Sequence, residues 1–194
     1  MDGAGMAVLT ALVVLVALVV AVLLLVQQRR RRAGLQERFG PEYEREVDEQ
    51  GDRRQAEKRL ADVAERRDRL EIRDLDPAER QRFTQQWTTV QAAFVDHPAA
   101  ATRDADRLLG TVMRDRGYPV DDFESRAEMV AADHPEVVDH YRAAHAVGSR
   151  SGAANTEELR QAFVQYRELF EVLVEGDGTV DLRPHERTDR PSPG

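Results

Sequence analysis

A chain of 194 residues with 28 basic and 36 acidic side chains has room for one domain with a tether and a tail. Its formal net charge of −8 argues against nucleic acid as a partner, because phosphates need a basic footprint. With no cysteine in the sequence, disulfides, thiolate metal sites and a thiol nucleophile are excluded, which suits a cytoplasmic domain.

Residues 1–6 carry Asp2 as their only charged side chain and are expected to form a short extracytoplasmic N-terminus. From Ala7 to Val26 there is no charge: fifteen residues are Leu or Val, four are Ala, and Thr10 is the only polar one. At 1.5 Å per residue such a run spans about 30 Å, the thickness of a bilayer's hydrocarbon core. Each central Leu or Val favours insertion by roughly 0.3–0.6 kcal/mol. A buried core helix is disfavoured because the run has no polar face. A cleaved secretory signal would need positive charge before the run, a shorter apolar core and a small-x-small site after it. Here Gln27, Gln28 and four arginines follow instead, so residues 7–26 are predicted to be an uncleaved transmembrane helix.

The positive-inside rule then sets the orientation. Arg29–Arg32 lie in the cytoplasm, the N-terminus faces out, and residues 33–194 face in, giving a single-pass plasma-membrane protein; export or secretion is the alternative. Arg29, Arg30, Arg31 and Arg32 are also the expected membrane-surface contacts, each attracting anionic headgroups by about 1 kcal/mol. No lipid selectivity is expected of them. Ala7/Ala11 and Ala17/Ala21 have small-xxx-small spacing but fall on different faces, so only weak self-association is implied.

Residues 27–74 read as a basic juxtamembrane segment and a charged helical stalk. From Arg29 to Asp74 there are 14 basic and 13 acidic residues. Leu35, Phe39, Tyr43 and Val47 recur every four residues, a helical stripe interrupted at Gly40-Pro41. Ala56, Leu60, Val63 and Leu70 take heptad-like positions, with Arg67 where the next apolar residue belongs. A solvated helix holding the domain off the membrane is preferred to a dimerising coil.

Residues 75–175 read as a soluble bundle of about five helices. Nine of the eleven aromatic residues lie between Phe83 and Phe170. Asp76-Pro77-Ala78-Glu79 is a helix start with a capping box, and Phe83, Trp87, Val90 and Phe94 follow on one face. His97-Pro98 opens a second helix carrying Ala105, Leu108, Leu109, Val112 and Met113 inward, closed by Gly117 and Pro119. A third helix runs from about Asp122 to Ala131. A fourth follows His134-Pro135 with Val137, Val138, Tyr141 and Ala144 inward. Asn155 or Thr156 caps the last helix, whose stripe is Leu159, Phe163, Tyr166, Phe170 and Leu173. Residues 176–194 turn to Gly, Asp, Pro, Arg and Ser and are expected to be a disordered tail.

The stretches LQERFGPEYER (35–45), FVDHP (94–98), RGYP (116–119), DHPEVVDHYRAAH (133–145), TEELR (156–160) and YRELF (166–170) resemble a family of uncharacterised actinobacterial membrane-anchored proteins. Its members carry an N-terminal transmembrane helix and a helical C-terminal domain, and the likeness covers roughly residues 35–174. Arginine outnumbers lysine 27 to 1, and Ile and Asn occur once each, a codon bias that suggests GC-rich coding DNA. The resemblance implies no activity, cofactor or catalytic residue.

No residue pattern suggests an enzyme. His134, His140 and His145 are close in sequence, but steps of six and five residues put them on different helix faces. No His-Glu-x-x-His pair, Gly-x-Ser-x-Gly elbow or phosphate-binding glycine loop is present, so no catalytic residue, cofactor or metal ligand is assigned. His97 and His134 are expected to mark helix boundaries before proline. No carboxylate sits in an apolar stretch that would bring it into acid–base range. The expected architecture is all-α, and the expected function a membrane-tethered interaction or scaffold module with an unidentified protein partner. A membrane-anchored ligand- or stress-sensing domain is the alternative.

Overall fold

A computed structural model describes residues 3–150 and 152–176; within α1 it describes the side chains of Leu12 and of Leu15 onward. The fold is all-α. Among the described residues eight helices and no strand occur: α1 Gly3–Phe39, α2 Pro41–Gln50, α3 Arg53–Asp68, α4 Pro77–Ala93, α5 Pro98–Arg116, α6 Phe123–Asp133, α7 Val138–Ser149 and α8 Thr156–Glu175. The expected membrane span, residues 7–26, falls partly outside the described side chains. Among those described, no helix is long and apolar enough to cross a membrane. Residues 1–2 and, beyond Gly176, the expected tail lie outside the described residues.

The chain forms two compact units. One comprises Met1–Leu70 with Ala127–Asp139, the other Glu71–Arg126 with His140–Gly194. A division at 75 had been expected; the segment 127–139, expected inside the bundle, instead groups with the helices that precede it.

In the first unit, the residues expected as a solvated stalk have a buried face. Phe39, Tyr43, Ala56, Leu60 and Val63 are buried, and so are Ala127, Val130, Ala131 and Val138. Phe39, Leu60, Val63 and Ala131 wall a cavity of about 10 Å³ together with Glu42, Glu46, Arg59 and Glu128. Arg59 bridges Glu46 at 3.2 Å and Glu128 at 2.9 Å, and Arg66 also holds Glu128 at 2.8 Å. The charged face of the stripe is thus tied down by ion pairs while its apolar face is covered. Gly40 turns α1 into α2 with φ 49 and approaches Pro135; a Cβ there would lie 3.3 Å from the proline Cβ. Asp52 caps α3 by accepting from the Arg54 amide at 2.7 Å.

The second unit is built on α5, which packs against α8 and α4. Asp76 and Glu79 form the expected reciprocal capping box on α4, and Asn155 and Glu158 form one on α8. Trp87 stacks on Phe170 with centroids 4.7 Å apart and meets Phe163 at 5.1 Å; Phe163 also meets Phe94 at 4.9 Å. Burying the Trp87, Phe163 and Phe170 side chains stabilises the unit by roughly 1.5–3 kcal/mol each. Gly117 ends α5 in the left-handed conformation, φ 100. Its Cβ position lies only 2.7 Å from the Glu71 carbonyl oxygen, so glycine is required there twice over.

Candidate functional site

The four arginines beyond the apolar run lie on α1, with Arg29, Arg30 and Arg31 exposed and Arg32 half-buried. Arg32 pairs with Glu57 at 3.5 Å, and six residues further on Arg38 pairs with Asp68 at 2.7 Å. Residue numbers rise in the same direction through both pairs, so α1 and α3 run parallel there. The start of α3, with Arg53 and Arg54, therefore lies toward the Arg29–Arg32 end of α1. Two basic segments far apart in sequence are brought to one end of the unit.

Between α1 and α3 lies an open groove of about 760 Å³. Gly34, Leu35, Ala61 and Ala64 line it with small side chains around one leucine, and Arg31, Arg54 and Lys58 line it as well. Nothing lies within 4 Å of where a Cβ on Gly34 would sit. The carboxylates at the groove are each engaged: Glu57 by Arg32 and by the Tyr43 hydroxyl at 2.9 Å, Asp68 by Arg38, and Glu65 by Arg69. Arg31 was expected to contact the membrane surface. Arg54 and Lys58 were not singled out, although their four-residue spacing, continued by Ala61 and Glu65, already marks one helix face.

The second unit holds a different polar cluster. His145 Nδ1 lies 3.5 Å from Asp106 Oδ1, and Arg126 lies 3.6 Å from Asp106 Oδ2. The His145 ring lies flat on Phe123, centroids 3.6 Å apart and 6° between planes. Tyr141 and Tyr166 stand edge to face at 6.2 Å, and burial pushes both hydroxyls well above the usual tyrosine range. Burial also pushes the Asp106 carboxyl up, but His145, Arg126 and Tyr166 outweigh it and hold it below the usual carboxylate range. Asp106 escaped sequence reasoning because it neighbours Ala105 on a helix with exposed charges at Arg103 and Arg107. It is a carboxylate beside an apolar stripe, which is the signal that could have found it.

The remaining histidines do not converge. His140 binds Glu168 at 2.6 Å on the surface of the second unit, and His134 follows the end of α6 in the first, 3.8 Å from Glu136. Among the described residues no group of three His, Asp or Glu side chains is arranged to hold a metal ion. His97 stands at the N-terminal boundary of α5. No family model matches the chain, and neither a curated protein nor a solved structure matches it.

Proposed function

We propose that this chain is a single-pass membrane protein in which α1 is the anchor and the helical units form an interaction module on the cytoplasmic side. One observation carries the reading. Eleven of the twelve large apolar side chains exposed among the described residues lie on α1 between Leu12 and Val26, Val95 being the exception. Leu12, Leu15, Leu18, Leu23 and Leu25 are each 55–62% exposed, a contiguous apolar surface of a kind that soluble monomers rarely present. The uncharged run Ala7–Val26 and the arginines behind it support insertion with the N-terminus outside. The resemblance to actinobacterial membrane-anchored proteins points the same way. The role is proposed to be non-enzymatic, with an unidentified protein as partner.

Reporters fused after Gly194 test the orientation. One that works only in the cytoplasm should be active, and one that works only after export should be silent. Digestion of the helical units by protease added outside intact cells would overturn the orientation. Crosslinked recovery of the full-length protein from its native membrane tests the interaction role, combined with charge reversal at exposed α8 positions such as Arg160 and Glu171. Partner recovery indifferent to every such reversal would count against α8 as the binding surface. A second reading, a membrane-anchored sensing domain, is favoured by the Asp106–His145–Tyr166 cluster. Two titratable side chains and a buried hydroxyl there could couple packing to proton concentration.

A further inference from the structure

We propose that the groove between α1 and α3 binds the phosphate-bearing headgroup of an anionic lipid; the inference rests on α1 being the membrane anchor. Three observations combine. The first is position. The groove begins at Gln28, two residues past the apolar run, and Arg31 stands five residues past Val26, or about 7.5 Å along a helix. The polar layer on each face of a bilayer is about 5–8 Å thick, so Arg31 stands at headgroup depth. Because α3 runs parallel to α1, Arg54 and Lys58 are carried toward the same depth.

The second is charge. Arg32 and Arg38 are neutralised by Glu57 and Asp68, and Glu65 by Arg69. Among the described residues Arg31, Arg54 and Lys58 have no carboxylate partner. The groove therefore carries three uncompensated cations and no uncompensated anion, which matches a phosphodiester. The third is shape. A volume of about 760 Å³ falls in the range of small-ligand sites, about 300–1,000 Å³. The small residues Gly34, Ala61 and Ala64 in the lining leave room beside the cations for the glycerol or polyol part of a headgroup. A flat basic surface would attract anionic lipid without such a recess, and this recess is what distinguishes the site from the unselective contact expected of Arg29–Arg32.

Lys58 is the only lysine in the chain, so its acetylation by a neutral amine reagent, read by mass spectrometry, reports on the groove. The full chain is reconstituted into vesicles of phosphatidylcholine alone or with added phosphatidylglycerol. Phosphatidylglycerol should slow Lys58 acetylation, with each of Arg31→Gln and Arg54→Gln reducing the protection about fivefold. Ala61→Leu, at an exposed α3 position where leucine is nearly as good a helix former as alanine, should fill the recess and remove the protection with all charges intact. Protection that survives Ala61→Leu would mean surface attraction only and overturn the groove. Equal rates in both vesicles, with the chain still membrane-bound, would overturn the groove and leave the anchor standing. A chain that stays with neither vesicle would overturn the anchor and the groove together. Equal protection by inorganic phosphate in detergent micelles would assign the site to a soluble anion instead. Protection in phosphatidylcholine that grows with protein density would assign it to a second copy.

Discussion

Arg73 and Arg116 hold each other by reciprocal hydrogen bonds: the Arg73 amide donates to the Arg116 carbonyl at 2.9 Å, and Arg116 Nε donates to the Arg73 carbonyl at 3.2 Å. The same guanidinium donates to the Leu173 carbonyl at 3.1 Å. A buried arginine, 4% exposed, thus clamps the segment before α4 to the ends of α5 and α8. Arg116→Leu should cost about 1–3 kcal/mol for each buried carbonyl left unmet. Arg116→Lys should recover only part of this, because an ammonium lacks the planar fork that reaches both carbonyls. Denaturant melting of the full chain checks both, and an unchanged midpoint for Arg116→Leu would refute the clamp.

Phe163 lies between Trp87 and Phe94 and is nearly buried. Phe163→Ala should cost about 3–5 kcal/mol, a large share of the about 5–15 kcal/mol that holds a domain together. Arg160, exposed and paired with Glu157 across one turn, should tolerate Ala within about 0.5 kcal/mol. Thermal melts of the two variants side by side test the assignment, which fails if Phe163→Ala melts like the wild type.

Asp106 gives the second unit a pH dependence with a definite sign. Its folded carboxyl is held below the usual range although burial acts against it. The native state therefore binds its proton less readily than the unfolded chain, whose Asp titrates near about 3.9. The resulting stabilisation is complete above that value and disappears as pH falls through the lower folded value. Asp106→Asn should lower stability at neutral pH and flatten its decline toward about pH 3. Denaturant midpoints over that range measure it, and parallel curves for variant and wild type would exclude Asp106 as a contributor.

Gly40 makes a comparable demand on the first unit. Its φ of 49 with ψ −125, a combination side-chain-bearing residues rarely adopt, is joined by the 3.3 Å approach to Pro135. Gly40→Ala should cost about 1–3 kcal/mol from this sparsely allowed backbone conformation alone, more if Pro135 cannot yield. Hydrogen exchange on the α2 amides should accelerate in the variant; unchanged exchange would show that the turn accepts a side chain.

The helices of residues 75–175 were legible because their determinants are local. The Asp76 and Asn155 caps, the Gly117 stop and the Phe163–Phe170 spacing are each written within a turn or two of where they act. The burial of Phe39 and Tyr43 was not legible. Their four-residue stripe is the same whether water or protein covers it, and the residues buried with them, around Ala127 and Val130, lie some ninety positions along the chain. Arg54 and Lys58 were hidden for the same reason: only the parallel course of α1 and α3 brings them beside Arg31. Asp106 looked like a solvated carboxylate because His145 and Arg126, which surround it, arrive from α7 and α6.

The first unit is assembled from both sides of a long excursion, and this sets an order of events on the ribosome. Leu70 is made early, but the unit ends at Asp139, 69 residues later by the difference 139 less 70. At about 5–20 residues per second that interval lasts about 3–14 s, during which Phe39, Leu60 and Val63 lack the neighbours that Glu128 and Ala131 supply. A nascent chain stopped before Ala127 never acquires that cover and presents an apolar surface to chaperones and proteases. The Gly40 end of the unit, where Pro135 approaches, is therefore closed only on chains whose translation has passed Asp139.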